Sequence, residues 1–452
     1  MSAPKVTFIT HEATRTGAPR VLLTLMQWLK ANTDIRMSTL VMRPGPLLRE
    51  YAALGPVVEH EGDWRYLLFL QRGIRLARQL TIAQERPFDA FVHRASGRSL
   101  WMTNARQLNT LGECDLIYAN SVQSGWGVRS IAGRAPVLSH LHELSDALLD
   151  PYERTNVATM TSPRVEHIIV PALAVRHLLV TRLGVDATRV SVEYPFIDAA
   201  AHRPDGGTRR RVRQELEIPD DAVVVGMSGM FILRKSPDRF IDVAAQVVKR
   251  AGHRPVYFMW IGGSAQLEYG RYMITDVERL GIADRFRHVH ERADPRPYLA
   301  ALDIFMLSSR SDPFPLVCLE AASMAEAPIV CFDQAGGMPE LVGDECGIVV
   351  PYLDVAAAAE AILRLVDDPE LRRTLGRNAA QRVRTRHDVA TTAPAIAQII
   401  TNALDAGGRA GSVPASSSAR RAFSGNGRTH HPLGALQRGG EAHETAPLVH
   451  SE

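Results

Sequence analysis

Short apolar runs bounded by turn residues recur through the first half of the chain, at residues 6–9, 39–42, 116–119, 137–140, 168–171 and 190–193. Stretches with helical spacing separate them, for example 19–29 and 172–183. Such alternation predicts a parallel sheet covered by helices on both faces. A polar stretch at 202–217 then carries Pro204-Asp205-Gly206-Gly207 and the basic run Arg209, Arg210 and Arg211, and reads as a linker. After it the pattern restarts. Strand-like runs fall at 222–227, 256–261, 286–289, 304–307, 328–332 and 347–350, with helical segments at 237–249, 298–302 and 355–366. The second set is complete in itself, which predicts two α/β domains rather than one large sheet. The expected boundaries are 1–200 for the first domain, 201–220 for the linker and 221–385 for the second. A C-terminal helix at 386–404 is expected to pack back on the first domain. Residues 405–452 are rich in Gly and Ser and poor in large apolar side chains, which predicts a disordered tail.

Composition narrows this picture only a little. A chain of 452 residues exceeds one compact core of ordinary size. Its hydrophobic content of 46% and charged content of 22% describe a globular protein. A formal charge of +3 gives no case for nucleic acid. Cys114, Cys318, Cys331 and Cys346 have no metal-ligand spacing, so reduced thiols are expected. The first residues run straight into a strand pattern rather than a secretory leader, and no apolar run approaches the length of a membrane span. A cytoplasmic protein is the expectation.

Residues 308–341 carry the most chemistry. Asp312 and Glu320 stand eight positions apart. The turn Asp312-Pro313-Phe314-Pro315 leads into an apolar helical run, a short buried strand follows at 327–332, and a Gly-Gly loop ends at Glu340. Two helix N-termini and two carboxylates in that order suit a sugar joined to a diphosphate. Phosphate oxygens seek backbone N–H groups and a helix dipole, and hydroxyls seek carboxylates.

With these motifs in place, the chain resembles the family-4 glycosyltransferases over roughly residues 5–400. The matching pieces, in order, are Gly-Met-Phe-Ile-Leu-Arg-Lys at 229–235, Trp-Ile-Gly-Gly at 260–263, Leu-Asp-Ile-Phe at 302–305, the E-x7-E motif as Asp312 to Glu320, and Gly336-Gly337-Met338-Pro339-Glu340. The opening segment from Thr10 to Pro19 is similar to the N-terminal loop of one bacterial subgroup. The resemblance implies a GT-B fold, two facing Rossmann-like domains with a cleft between them. It implies a retaining enzyme that moves a sugar from a nucleotide-diphosphate sugar to a glycan, lipid-linked or other glycoconjugate acceptor. Two positions depart from the pattern. Asp312 is one methylene shorter than the usual Glu, and Met230 stands where many relatives place a phosphate-binding Arg, a task for which Arg234 is the substitute candidate.

The resemblance distributes roles as follows. Glu320 binds the ribose of the nucleotide. A carboxylate within an apolar run needs donors, so a structural cap on a neighbouring loop is its alternative. Asp312 faces the hydroxyls of the donor sugar and can also cap the helix that follows it. Lys235, with Arg234 as a second candidate, neutralises the diphosphate as the sugar leaves; a solvated lysine is the alternative. Gly17 lies in a loop that approaches the donor phosphate or the acceptor, or forms a plain tight turn. His142 lies near the donor sugar, and His140, on the same strand face, is a rival deeper in the strand. Gly336, Gly337 and Met338 present backbone N–H groups to the donor. Glu340 contacts sugar hydroxyls or caps the loop. His11 and Glu12 are acceptor-contact candidates. No metal or cofactor is expected, since no Asp-x-Asp lies at a strand end.

Two alternatives remain open at this stage. One is a sugar-nucleotide epimerase or a phosphorylase on the same fold. The other is a non-catalytic nucleotide-sugar-binding protein. The segment 64–106 carries eight arginines, among them Arg72, Arg75 and Arg78, against Glu85 and Asp89. It is either an amphipathic segment meeting anionic lipid at the cytoplasmic face of the membrane or a solvated helix packed on the first domain. Replacing Arg72, Arg75 and Arg78 together separates the two. Cosedimentation with anionic vesicles falls if the first reading holds and stays unchanged if the second does.

Overall fold

The computed structural model describes residues 3–59, 111–131, 135–203 and 206–410. The basic segment 64–106 and the tail from 411 onward lie outside the described residues. The described residues up to 409 belong to one compact unit that holds two all-parallel sheets. Among the described residues no helix is long and apolar enough to cross a membrane.

The first sheet comprises β1 (Lys5–Thr10), β2 (Arg36–Val41), β3 (Val57–Glu59), β4 (Leu116–Asn120), β5 (Val137–His140), β6 (Val165–Val170) and β7 (Val190–Val192), in the order β3-β2-β1-β4-β5-β6-β7. The second comprises β8 (Val223–Ser228), β9 (Val256–Ile261), β10 (Phe286–Val289), β11 (Ile304–Leu307), β12 (Ile329–Phe332) and β13 (Gly347–Val350), in the order β10-β9-β8-β11-β12-β13. The order reverses beside β1 and β4 in one sheet, and beside β8 and β11 in the other. Open parallel sheets bind ligands at such points, outside the carboxyl ends of the strands. Strands covered on both faces read as continuous apolar runs, and most of the twelve expected strands fall within a residue or two of their positions. β3 was not expected. It is a three-residue strand, half-buried to exposed, that among the described residues pairs with β2 alone, and it has no apolar run to announce it.

The stretch expected as a linker is a helix over much of its length, Gly206–Glu215. Its sequence is polar enough to read as a loop, yet Arg213 is buried. The Arg213 guanidinium donates to Asp303 Oδ2 at 2.6 Å and to the carbonyls of Ala222 and Ala301. Asp303 in turn accepts the Val224 N–H at 2.7 Å, which ties this helix to β8 and the second sheet.

The chain end returns to the first half. Ile197 N–H donates to His387 O and Val389 N–H to Ile197 O, both at 3.0 Å, and His387 Nδ1 donates to Pro195 O at 3.0 Å. Helix Val389–Ala410 then runs past the expected tail start at 405 and buries Ala393, Ile396 and Ile400.

Glu340 makes a second tie. It sits on the second sheet's side, yet it accepts the N–H of Leu173 (3.0 Å) and Ala174 (3.1 Å) at the start of helix Leu173–Leu183, and the Tyr194 hydroxyl at 3.0 Å. The helix lacks a side-chain cap at its own N-cap, Ala172. Glu340 therefore caps a helix of the other half rather than its own loop, and its negative charge suits the positive end of that helix dipole. Replacing Glu340 by Ala removes these acceptors at once. The expected loss is about 1–2 kcal/mol of stability, read as a lowered melting temperature.

Candidate active site

A cavity of about 460 Å³ lies between the carboxyl ends of the two sheets. Gly17, His142, Arg234, Lys235, Asp312 and Glu320 all line it, although they are scattered over 300 positions of sequence. Two helix N-termini enter from opposite sides. Thr16, Gly17 and Ala18 open helix Gly17–Asn32, and Pro315, Leu316 and Val317 open helix Leu316–Ala325. A Cβ built on Gly17 meets no protein atom within 4 Å, so its bare backbone faces the open cavity.

On the second sheet the loops that follow β8 and β11 are laced together, because these strands are neighbours. Arg310 N–H donates to Arg234 O at 2.8 Å, and Ser308 Oγ to Lys235 O at 3.0 Å. This lacing brings Lys235 Nζ into an ion pair with Asp312 Oδ2, while Arg234 Nη1 stands 3.4 Å from Asp312 Oδ1 and donates to Ser311 O at 3.0 Å. Ser309 Oγ donates to Asp312 as well, at 3.1 Å. Burial opposes ionisation of Asp312, but Lys235 and Arg234 outweigh it and hold the carboxyl below the ordinary carboxylate range. Lys235 and Arg234 both line the cavity, two cations available to an anionic group. Met230 also lines the cavity, with its side chain largely exposed and no charge, so Arg234 is the second cation here.

Asp312 does not cap the helix that follows. That helix begins at Leu316 with Pro315 at its N-cap and no side-chain cap. The glycine loop also differs from expectation. Gly336, Gly337 and Met338 do not line the cavity. Gly337 gives its N–H to Pro313 O at 2.8 Å, and Gly336 pairs with Asp312 in an isolated parallel bridge, where Asp312 N–H donates to Ala335 O at 2.8 Å. A Cβ on Gly336, at φ +145°, would collide with the Asp312 carbonyl. The loop is a buttress behind Asp312. Tyr194, Phe314 and His387 brace the same turn as an aromatic cluster, with centroids 5.3–5.6 Å apart.

Glu320 is buried at 2% exposure, inside the apolar helix as its sequence context requires. Its Oε1 lies 2.6 Å from Arg20 Nη2, across the cavity on helix Gly17–Asn32, but no donor is aligned on that oxygen as a hydrogen bond. His202 Nε2 stands 3.7 Å away, and its Nδ1 faces Asp198 O at 2.7 Å. The carboxylate therefore retains acceptor capacity toward the cavity.

On the first sheet, Asn120 ends β4 and orients His142. Asn120 Nδ2 donates to Ala18 O at 3.1 Å, which leaves Oδ1 to accept from His142 Nε2 at 2.7 Å. The Nε2–H tautomer follows, with Nδ1 bare. His140 lies deeper, as expected, with Nδ1 bonded to the Tyr118 hydroxyl at 2.6 Å. Glu12 is not free for an acceptor. Arg43, Thr14 and Thr16 engage its carboxylate and shape the loop before Gly17. His11 does line the cavity.

Four charged cavity residues escaped the sequence reading: Arg15, Arg20, Glu143 and Asp146. Glu143 directly follows His142. It accepts the N–H groups of Val122 (3.1 Å) and His142 (2.8 Å) and the Ser121 hydroxyl, yet burial still pushes its carboxyl up from the ordinary value. Its neighbour in sequence, His142, was the only signal for it.

Burial holds the histidines of this region neutral. It lowers His11 to about 4, with Arg43 adding to the effect, and His140 to about 3. His142 is held well below its usual value by burial and by the neighbouring His140 and His11, and His387 is lowered by burial to about 4. Unfolded histidines take up protons near pH 6.5, whereas His11 and His387 resist until about pH 4, His140 until about pH 3, and His142 to well below its usual value. The unfolded chain thus binds more protons across that window, so stability is full above pH 6.5 and falls as pH drops toward 4. Melting temperature measured from pH 8 to 4.5 should decline most steeply below 6.5, before the carboxylates titrate.

Comparison with known proteins agrees with this geometry. The family described as glycosyl transferases group 1 matches residues 208–382. A D-inositol 3-phosphate glycosyltransferase of Corynebacterium efficiens is 30% identical over 321 residues, covering 65% of this chain and 72% of the relative. One of Saccharomonospora viridis is 30% identical over 289 residues, covering 60% and 66%. Among solved structures, Anabaena HepE in complex with UDP and glucose superposes with a TM-score of 0.70 at 22% identity, covering 88% of this chain and 99% of the other. The chain belongs to the group 1 glycosyltransferases and is an enzyme of the GT-B fold.

Proposed function

We propose that this chain transfers a sugar, with retention of anomeric configuration, from a nucleoside-diphosphate sugar to a hydroxyl of a glycan, lipid-linked or other glycoconjugate acceptor. One observation carries the reading: the two opposed helix N-termini, the Lys235–Arg234 pair and the buried Glu320 converge on one cavity. Each supplies what one part of such a donor needs. Glu320 accepts from ribose hydroxyls, the helix N-termini and the two cations take the diphosphate, and Asp312 takes a hydroxyl of the sugar. The bare backbone of Gly17 lets phosphate approach closely.

In the proposed reaction the bond from the anomeric carbon to the diphosphate oxygen breaks while an acceptor oxygen bonds to that carbon on the same face. The acceptor proton passes to the departing diphosphate oxygen. The charge that grows there is met by Lys235, Arg234 and the helix dipoles rather than by a divalent ion. No side chain is assigned as nucleophile. The first sheet contributes His142, whose bare Nδ1 accepts a hydrogen bond from the donor sugar, and Glu143, which is placed for an acceptor hydroxyl. The relatives named for D-inositol 3-phosphate and the UDP bound by HepE make a polyol-like acceptor and a uridine donor the first candidates to try.

A thermal-shift screen of UDP-, GDP-, ADP- and TDP-sugars tests the donor. A bound nucleotide sugar at a hundred times its Kd adds about 2.7 kcal/mol of stability. The Glu320→Gln variant should keep the fold and bind that donor about tenfold or more weakly, because a carboxylate acceptor for two hydroxyls is lost. Stabilisation by none of the four donors, or full donor affinity in the variant, overturns the reading.

A further inference from the structure

Two contacts across the cavity share a pattern. Arg20, from helix Gly17–Asn32 of the first sheet, holds its Nη2 2.6 Å from Glu320 Oε1. Asp146, from the short helix Ser145–Leu148 of the same half, accepts from Ser311 Oγ at 2.9 Å and lies 3.9 Å from Arg234 Nε. The first sheet thus offers donors to a carboxylate and an anion to a guanidinium. Ribose hydroxyls and a diphosphate would offer the same two things to the same two residues.

We propose that Arg20 and Asp146 form a latch that imitates the donor and must be displaced by it. The inference rests on the reading of Glu320 and Arg234 as donor-binding groups, and goes beyond it by giving two residues of the opposite half a direct part in donor affinity. The contacts are suited to exchange. Glu320 Oε1 is buried and has no aligned hydrogen-bond donor despite the close approach of Arg20, so hydroxyls that align on it replace a poor bond with good ones. Arg20 is about one-third exposed and Asp146 nearly half, so neither is locked by packing. The two fates differ. A displaced Arg20 guanidinium remains one helical turn from Gly17, on the same helix face, and pairs with the diphosphate there. A displaced Asp146 carboxylate meets only repulsion from the diphosphate and withdraws with its helix.

The two residues therefore leave different signatures. Wild type, Arg20→Met and Asp146→Ala are titrated calorimetrically with UDP, GDP, ADP and TDP, and with uridine, guanosine, adenosine and thymidine. The nucleotide that binds wild type is then followed. In Arg20→Met the nucleoside binds about three- to tenfold more tightly, since its competitor for Glu320 is gone, while the further gain from adding the diphosphate shrinks by a similar factor. In Asp146→Ala the nucleoside is unaffected and the nucleoside diphosphate binds about threefold or more tightly. If Arg20→Met does not fold, Arg20→Lys should show the same direction with a smaller size, because lysine keeps the charge without the planar fork. A merely structural role would shift nucleoside and diphosphate together, or neither, and either result overturns the latch alone. Failure of all four diphosphates to bind wild type overturns the donor reading and the latch with it.

Discussion

The parallel pairing of every strand in both sheets is the constraint on which the rest depends. A parallel strand must be followed by a crossover, so all strands of a sheet end at one edge, and the loops that leave them gather there. The order reverses beside β1 and beside β8, which opens a crevice at each carboxyl edge. The two edges border a single cavity. Residues 11–20, 142–146, 229–235 and 312–320 meet because each follows one of these strand ends, not because they are near in sequence.

Within that cavity, charge is organised by burial. Asp312 stays ionised although buried, because Lys235 and Arg234 are held beside it by the lacing of two adjacent loops. Glu320 lies deeper, beside the poorly aligned Arg20 and with His202 Nε2 3.7 Å away. For His11, His140 and His142 desolvation by burial prevails, and they remain neutral hydrogen-bonding groups. One wall thus carries Lys235 and Arg234, and the opposite wall carries neutral rings, a carboxyl shifted upward at Glu143, and the charged Arg20 and Asp146. The ties that hold the walls in register lie beside the cavity. Glu340 caps a helix of the other half, and residues 387–389 pair with 197.

Much of the site was legible in the chain. Asp312, Glu320, Lys235, Arg234, Gly17 and His142 were each named from motif and position, and the structure brings all six to one cavity. The glycine loop was read less well. Gly336 and Gly337 signal a backbone that something approaches closely, which is true, but the approaching group is the Asp312 turn rather than the cavity. Glycine reports a close approach without reporting its partner. Helix Gly206–Glu215 was missed for a related reason. Its one buried charge, Arg213, is indistinguishable in sequence from the exposed arginines beside it until Asp303 is seen to meet it.

The sequence by itself determined the elements, their alternation and the chemistry each loop can offer, because strand and helix periodicity and turn residues are local properties of the backbone. Only the tertiary structure decided which groups face one another. The pairing of Arg20 with Glu320, of Asp146 with Ser311 and Arg234, and of Glu340 with the helix at Leu173 spans 88 to 300 positions. No local pattern encodes such distances. They follow from where the chain crosses between sheets, and a side chain's partner is fixed only when both sheets are in place.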